Sequence, residues 1–600
     1  MFEELGSRKI GNEIYFKVWA PHADRLDVLV QSGTEWDNRI MSRRYPLAKN
    51  HGDYWEGKFN DISSREIYRY EISNNGNTFI TIDPAARDTV HSWNYFGIEN
   101  NRNAAIIQPE ISFRWSDFKT PRFENFIIYQ MHVGSFAGRN DEFNKRIATF
   151  RDVASKLGYI KSMNFTAIQL LPIQEFAAER SWGYNPALFF SLESVYGEPD
   201  DLRSLVNEAH KQGLAVFFDA VYNHAGPQDN SLWQFDGYGI NGGIYFEGGQ
   251  MTSWGQGPAW WKREVQDFFL QNARMYFDEF KADGLRFDTT TQINGNHLAV
   301  VTGELRSKYP EKYLIAEHLP AHPWITTFGN FCATWNSEVH HECQRALAGN
   351  DPVNRLLRVL GWDGFDHSWN LVKYALGSHD DNGDQENGDA EHGLSNWDSR
   401  HRYFVDQFGG RDDWHARAKS RLAWALNAAM PGTPLLFMGT ECCMGAPHVS
   451  WGYWHDGDDL RGDHRFNWSV AGDRTGMEMR NLVADANAVR LGNDALRSET
   501  LQLTHVDHTN NIIAFKRWSD NGNIVLTIVN LGDTGFENLS YGVNTGQGGS
   551  WDQVLCTQDS RYGGWDGAGN AYYRPSTQPD GRIYLNVPKW SVLMMKWLGW

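Results

Sequence analysis

The chain has 600 residues, 41% hydrophobic and 22% charged, which excludes wholesale disorder and leaves room for a large barrel with two smaller partners. Its net charge of −18 repels nucleic-acid backbones and anionic membrane surfaces at long range, and suits a neutral substrate that needs no steering. No run approaches the ~18 uninterrupted apolar residues of a membrane span, and the opening residues show no apolar core of a secretory signal.

The first ~110 residues read as β structure. Glu13 to Pro21, Arg25 to Gln31, Asp53 to Phe59 and Ile67 to Ser73 are short β-rich runs separated by Gly, Asn and Asp turns, which predicts a small β-sandwich. Residues 100–121 read as a connecting segment. From Phe123 the pattern changes to short apolar strands alternating with longer helical stretches, the signature of βα units and a parallel sheet. Eight strands are predicted: Ile127 to Phe136, Ala167 to Ile173, Ala215 to His224, Gly284 to Asp288, Tyr313 to Glu317, Phe331 to Asn336, Tyr374 to Asp380 and Thr433 to Glu441. Helical patterns lie between them, among them Asp201 to Gly213 and Arg263 to Phe280. Eight such repeats, with no GxGxxG after the first strand, predict a (β/α)8 TIM barrel rather than a doubly wound sheet. The last ~100 residues return to β pattern at Asn511 to Trp518, Asn523 to Leu531, Arg582 to Val587 and Val592 to Trp597, an antiparallel β-domain. The expected division is 1–110, 111–500 with a short insertion at about 225–260, and 501–600.

Polar residues at the carboxyl ends of barrel strands belong to the active-site face. Strand 3 ends in Asp219, Asn223 and His224, strand 4 in Arg286 and Asp288, strand 5 in Glu317, and strand 7 in Ser378, His379 and Asp380. Retaining glycoside hydrolysis needs one ionised carboxylate as nucleophile and one protonated carboxyl as acid and then base. Arg286 and Asp288 are two apart on a strand and share a face, so the guanidinium is expected to lower the Asp288 carboxyl and suit it to attack. Glu317 follows three apolar residues and has no Arg near it in sequence, so its carboxyl is expected to rise, as an acid/base requires. Asp380 is placed to hold sugar hydroxyls and stabilise positive charge on the ring, and His224 and His379 to donate to hydroxyls. Taken singly, a strand-end Asp reads as a cap, a lone His as structural and Arg286–Asp288 as a buried ion pair. Four polar strand ends on one rim read as a site. Asp219, His224, Asp288 and Glu317 could also ligate a metal, but no HxH or HExxH spacing is present, so neither metal nor cofactor is expected.

As a set, DAVYNH (Asp219 to His224), GLRFD (Gly284 to Asp288), IAE (Ile315 to Glu317) and SHD (Ser378 to Asp380) resemble, in order and spacing, the four sequence regions of glycoside hydrolase family 13, the α-amylase family. The resemblance implies Asp288 as nucleophile, Glu317 as acid/base and Asp380 as transition-state stabiliser, with Asp219, His224, Arg286 and His379 binding sugar. WGYNP (Trp182 to Pro186) resembles the segment after strand 2, which implies that Tyr184 stacks on a sugar ring. WAPHA (Trp19 to Ala23) and IDPAARD (Ile82 to Asp88) resemble the glycogen-binding-type β-domain of branching enzymes and of maltooligosyltrehalose trehalohydrolases. His318, Asp381, Thr289 to Thr291 and the pair Cys442–Cys443 depart from the branching-enzyme pattern on the acceptor side. The expected activity is transfer of a cut α-1,4 chain to a 6-hydroxyl; the alternatives are α-glucan hydrolysis, trehalose-capped chains included, and a non-catalytic glucan-binding protein. The expected partner is an α-glucan or maltooligosaccharide, with no nucleic acid and no membrane. Five cysteines without a CxxC pair point to a reducing compartment, the cytoplasm, and the 26 Trp, 24 Tyr and 34 Phe supply rings for packing and for sugar faces.

Overall fold

The computed structural model describes residues 4–90, 104–136, 147–177, 181–227, 230–252, 254–383, 403–445, 465–564 and 574–600. Residues 100–103 of the predicted connecting segment, and 228, 229 and 253 of the predicted insertion, lie outside them.

The N-terminal strands are β1 (Gly6–Ile10), β2 (Glu13–Trp19), β3 (Arg25–Gln31), β4 (Arg43–Pro46), β5 (Ala48–Lys49), β6 (Tyr54–Phe59), β7 (Ile67–Asn74), β8 (Asn77–Thr81) and β9 (Ala105–Ile106). They form two antiparallel sheets, β1-β2-β6-β5 and β4-β3-β7-β8, with β9 added along β7. In β2 the buried Ile14, Phe16 and Val18 alternate with the half-buried Glu13, Tyr15 and Lys17, so one face of the strand enters the sandwich core.

The central strands are β10 (Ile128–Met131), β11 (Ala167–Leu170), β12 (Gln174–Phe176), β13 (Pro186–Leu192), β14 (Ala215–Ala220), β15 (Gly284–Phe287), β16 (Tyr313–Ala316), β17 (Ala333–Asn336), β18 (Leu371–Lys373) and β19 (Thr433–Phe437). Eight of them close a parallel barrel in the order β10-β11-β14-β15-β16-β17-β18-β19. Their side chains are almost all buried, as expected of parallel strands covered on both sides by barrel and helices. Helix starts are written in the sequence: Thr149 and Asp152 cap the helix Phe150–Ser162 reciprocally, and Pro199 opens the helix Pro199–Lys211 at a position whose N–H would go unused.

Two differences from expectation bear on the site. Strand 7 is Leu371–Lys373, so the predicted Tyr374 to Asp380 is the segment after it, and His379 opens the short helix His379–Gly383. Lys373 masks the strand in sequence, because a lysine reads as exposed; here it is fully buried and donates to the carbonyls of Val359 (2.9 Å), Leu360 (3.3 Å) and Gly361 (2.9 Å). The antiparallel pair β12–β13, between barrel strands 2 and 3, was not predicted; it carries the chain that bears Trp182 and Tyr184 over the barrel mouth.

The C-terminal strands are β20 (Gln502–Asp507), β21 (Ile512–Trp518), β22 (Ile524–Asn530), β23 (Phe536–Asn544), β24 (Ser550–Cys556), β25 (Arg582–Val587) and β26 (Ser591–Gly599). They make a five-stranded sheet, β20-β21-β22-β26-β24, and a two-stranded one, β23-β25. One hydrophobic core runs from Leu5 through the barrel to Met594. Buried arginines tie the parts: Arg421, on the helix Trp414–Ala429, donates to Thr557 O and Gln558 Oε1, both at 3.0 Å. All five cysteines are buried and unpaired, and among the described residues no helix is long and apolar enough to cross a membrane.

Candidate active site

Arg286, on the fourth barrel strand, is completely buried. One of its terminal nitrogens donates to both oxygens of Asp219 at 2.7 Å and to Asp288 Oδ1 at 3.0 Å. The other lies 2.8 Å from Glu317 Oε2, an ion pair by separation whose N–H groups are not aimed for a hydrogen bond. Three carboxylates from strand ends 3, 4 and 5 therefore meet on one guanidinium. Beneath it the buried ring of Trp335 lies 4.2 Å from Cζ, so one face of the cation is held by π density instead of water.

Asp288 and Glu317 flank this guanidinium, one on each terminal nitrogen, and each carboxyl acts on the other. Asp288 Oδ2 also accepts from the Asn223 amide at 2.7 Å. Burial pushes the Asp288 carboxyl up, against the pull of Arg286; the lowering expected from Arg286 alone does not prevail, because the group is out of water and shares its cation with two other anions. Burial also raises Glu317, against Arg286, with the neighbouring Asp288 charge adding to the rise. Glu317 does have an arginine partner, brought from another strand. Two raised carboxyls on one cation titrate as a pair.

Thr289, directly after Asp288, sits at φ +36°, a left-handed conformation that β-branched residues avoid. There its N–H (2.8 Å) and hydroxyl (3.2 Å) both donate to Glu317 Oε2. Thr290 donates through its hydroxyl to the Glu317 carbonyl at 2.9 Å and lies 3.1 Å from His318 Nδ1. The threonines expected to shape the acceptor side thus hold the Glu317 segment.

Around this centre Tyr184 donates from its hydroxyl to Asp219 Oδ2 at 2.7 Å, and its ring stacks on His379 with centroids 5.1 Å apart and planes within 7°. Burial raises Asp219 to about 6, with Arg286 and the Tyr184 hydroxyl pulling it back. Gln130 Nε2 lies 3.0 Å from His379 Nδ1, so Nδ1 accepts and the proton sits on Nε2, which faces Asp380 Oδ1 at 3.1 Å. Burial keeps the ring neutral, holding His379 well below its ordinary range. Asp380 is the open member: its side chain is 40% exposed, whereas Asp219 is fully buried. His224 differs from expectation, because both its ring nitrogens already face protein oxygens, the Asn223 amide and Tyr184 O, the latter at 2.8 Å.

All eight predicted residues fall in one connected network. Asn223, Gln130, Thr289 and Trp335 were not among them. Gln130 carried a signal, a polar residue inside an otherwise apolar barrel strand; Trp335 carried none, since an aromatic there reads as ordinary core.

Comparison with known proteins gives three matched regions. Residues 4–86 match carbohydrate-binding module 48 (isoamylase N-terminal domain), residues 130–236 the α-amylase catalytic domain, and residues 503–597 the α-amylase C-terminal all-β domain. The chain is 28% identical to the malto-oligosyltrehalose trehalohydrolase of Saccharolobus solfataricus over 71% of this chain and 73% of that one. It is 26% identical to a 1,4-α-glucan branching enzyme of Pseudomonas putida over 97% of this chain and 81% of that one. In fold it is similar to the catalytic module of a glycogen-degrading pneumococcal virulence factor, at a TM-score of 0.77 and 17% identity, covering 99% and 97% of the two chains.

Proposed function

The chain belongs to glycoside hydrolase family 13, the α-amylase family of α-glucan-active enzymes, and on that premise we propose that it is a retaining 1,4-α-glucan branching enzyme. The observation that carries the retaining chemistry is that Asp288 and Glu317 sit on the two terminal nitrogens of one guanidinium, at 3.0 and 2.8 Å. Inverting enzymes hold their carboxyls roughly 6.5–9.5 Å apart to house a water and retaining ones roughly 5–5.5 Å, and two carboxyls on one guanidinium suit the closer spacing. Transfer instead of hydrolysis is supported by similarity to branching enzymes along nearly the whole chain.

In this reading a glucan chain lies across the barrel mouth with one ring against Tyr184. Glu317 gives its proton to the glycosidic oxygen as the bond to the anomeric carbon breaks, and Asp288 forms the new carbon–oxygen bond from the opposite face. The leaving chain departs with a free 4-hydroxyl. Asp380, reached by the neutral His379, faces the positive charge that develops on the ring. Glu317, now ionised, removes the proton of an incoming 6-hydroxyl, which attacks the glycosyl ester and releases Asp288. Residues 1–110 would bind glucan, 111–500 cut and transfer, and 501–600 brace the barrel. The five unpaired buried cysteines support a reducing, cytoplasmic setting.

A second reading, hydrolysis, rests on the similarity to the trehalohydrolase and on His318 and Asp381, which stand where branching enzymes carry other residues. Incubation with amylose and counting of α-1,6 linkages by proton NMR separates the two. New branch points without net release of sugar are expected. Free maltooligosaccharides, or trehalose from a trehalose-capped chain, with no new branch would replace transfer by hydrolysis.

A further inference from the structure

Among the described residues, one cluster of three histidine and carboxylate side chains has its ligand atoms all within 4.8 Å of one another: His340, His341 and Asp381. The bond-cleaving and transfer steps above give this cluster no role. The two histidines lie on the helix Glu338–Leu347, which follows the sixth barrel strand, and Asp381 lies in the short helix after the seventh. We propose that these three side chains form a binding site for one divalent transition-metal ion, with Zn²⁺ the fitting chemistry.

Three observations carry this. First, His340 Nδ1 lies 3.2 Å from the Ala375 carbonyl, which can only accept, so the N–H is on Nδ1 and the Nε2 lone pair is left pointing at Asp381. A backbone carbonyl on the far nitrogen is the support that metal-bound histidines characteristically have. Second, Asp381 is held in the same way: Oδ2 accepts from the Ser378 N–H at 2.8 Å and its hydroxyl at 3.1 Å, leaving Oδ1 to face His340. Third, the separation between Nε2 and Oδ1 is 3.7 Å, too long for a hydrogen bond. Two ligands each about 2.0–2.1 Å from a shared ion stand roughly 3.3 Å apart at a tetrahedral angle and about 4 Å apart when nearly opposite, which brackets that distance.

Gly377 makes the approach possible. It sits at φ +85°, and a Cβ there would come within 2.7 Å of Asp381 Cβ and 3.1 Å of His340 Cε1. Two imidazoles and one carboxylate select Zn²⁺ over Ca²⁺ or Mg²⁺, which prefer oxygen donors. No motif spacing marks the site, because its ligands come from two segments that meet only in the folded barrel. The rival reading is an ion pair between a protonated His340 and Asp381, with no metal.

The test is a binding measurement on the full chain stripped with chelator, so its outcome does not depend on whether the enzyme branches or hydrolyses glucan. Titration with ZnCl₂ by calorimetry is expected to give one ion per chain, and Co²⁺ to give visible absorption bands of a low-coordinate site. His341→Gln and Asp381→Asn, neither of them fully buried, are each expected to weaken Zn²⁺ binding by roughly tenfold or more. The exposed His415→Gln serves as control and should bind as wild type. No stoichiometric Zn²⁺ on the wild-type chain, or wild-type affinity in either His341→Gln or Asp381→Asn, would overturn the proposal.

Discussion

Three carboxylates on one guanidinium cannot all be comfortable, and that discomfort sets the chemistry. Arg286 neutralises one charge, and burial raises all three acids. The Glu317 carboxyl must be protonated for the first step, so kcat/KM should hold to a pH above the ordinary carboxylate range and fall as pH rises through the raised value. Thr289 tunes that limb. Its hydroxyl stabilises the ionised form, so Thr289→Ala should move the falling limb up by about half a pH unit and lower kcat/KM by about 3–10-fold, while Thr289→Ser restores both. An unmoved limb in Thr289→Ala would reduce the residue to backbone geometry. Asp288→Asn should cut kcat by on the order of 10⁴ or more and leave glucan binding, read by tryptophan quenching, intact.

Among the elements, the seventh barrel strand shows how a local sequence can mislead. Leu-Val-Lys reads as a strand running out to solvent, and the apolar Tyr-Ala-Leu after it reads as the strand proper. In the fold Lys373 threads back to the end of the helix Pro352–Leu360 and supplies donors to its last carbonyls, which otherwise lack partners. Lys373→Met keeps the apolar stem and removes those donors. It should destabilise the protein by about 2–4 kcal/mol in urea unfolding. A loss below about half a kcal/mol would show that water replaces the ammonium there.

Across the whole molecule, one hydrophobic cluster reaches into all three parts beside a second one within the C-terminal domain, and buried arginines bind the C-terminal sheet to the barrel. Arg517, on β21, donates to Leu496 O at 2.6 Å, Ala429 O at 3.2 Å and Ser498 O. Its carbonyl partners stand in the barrel's last helices and the turn after them, so neither side is satisfied alone. The three parts should therefore unfold together, with a single calorimetric endotherm for the full chain, and Arg517→Ala should lower its midpoint without splitting it. Two resolved endotherms in the wild type would show that the shared core does not couple them.

Period and residue type along the chain determined the eight-stranded barrel between two β-domains, because buried parallel strands must be apolar runs and their polar ends mark the mouth whatever surrounds them. The same signal located Asp219, Arg286, Asp288, Glu317 and Asp380. The tertiary structure alone decided which charges share a cation, that burial outweighs that cation at Asp288, that Trp335 underlies Arg286, and that His340 and His341 meet Asp381. Each of these depends on distances between strands far apart in sequence, and an electrostatic field acts through space, not along the chain.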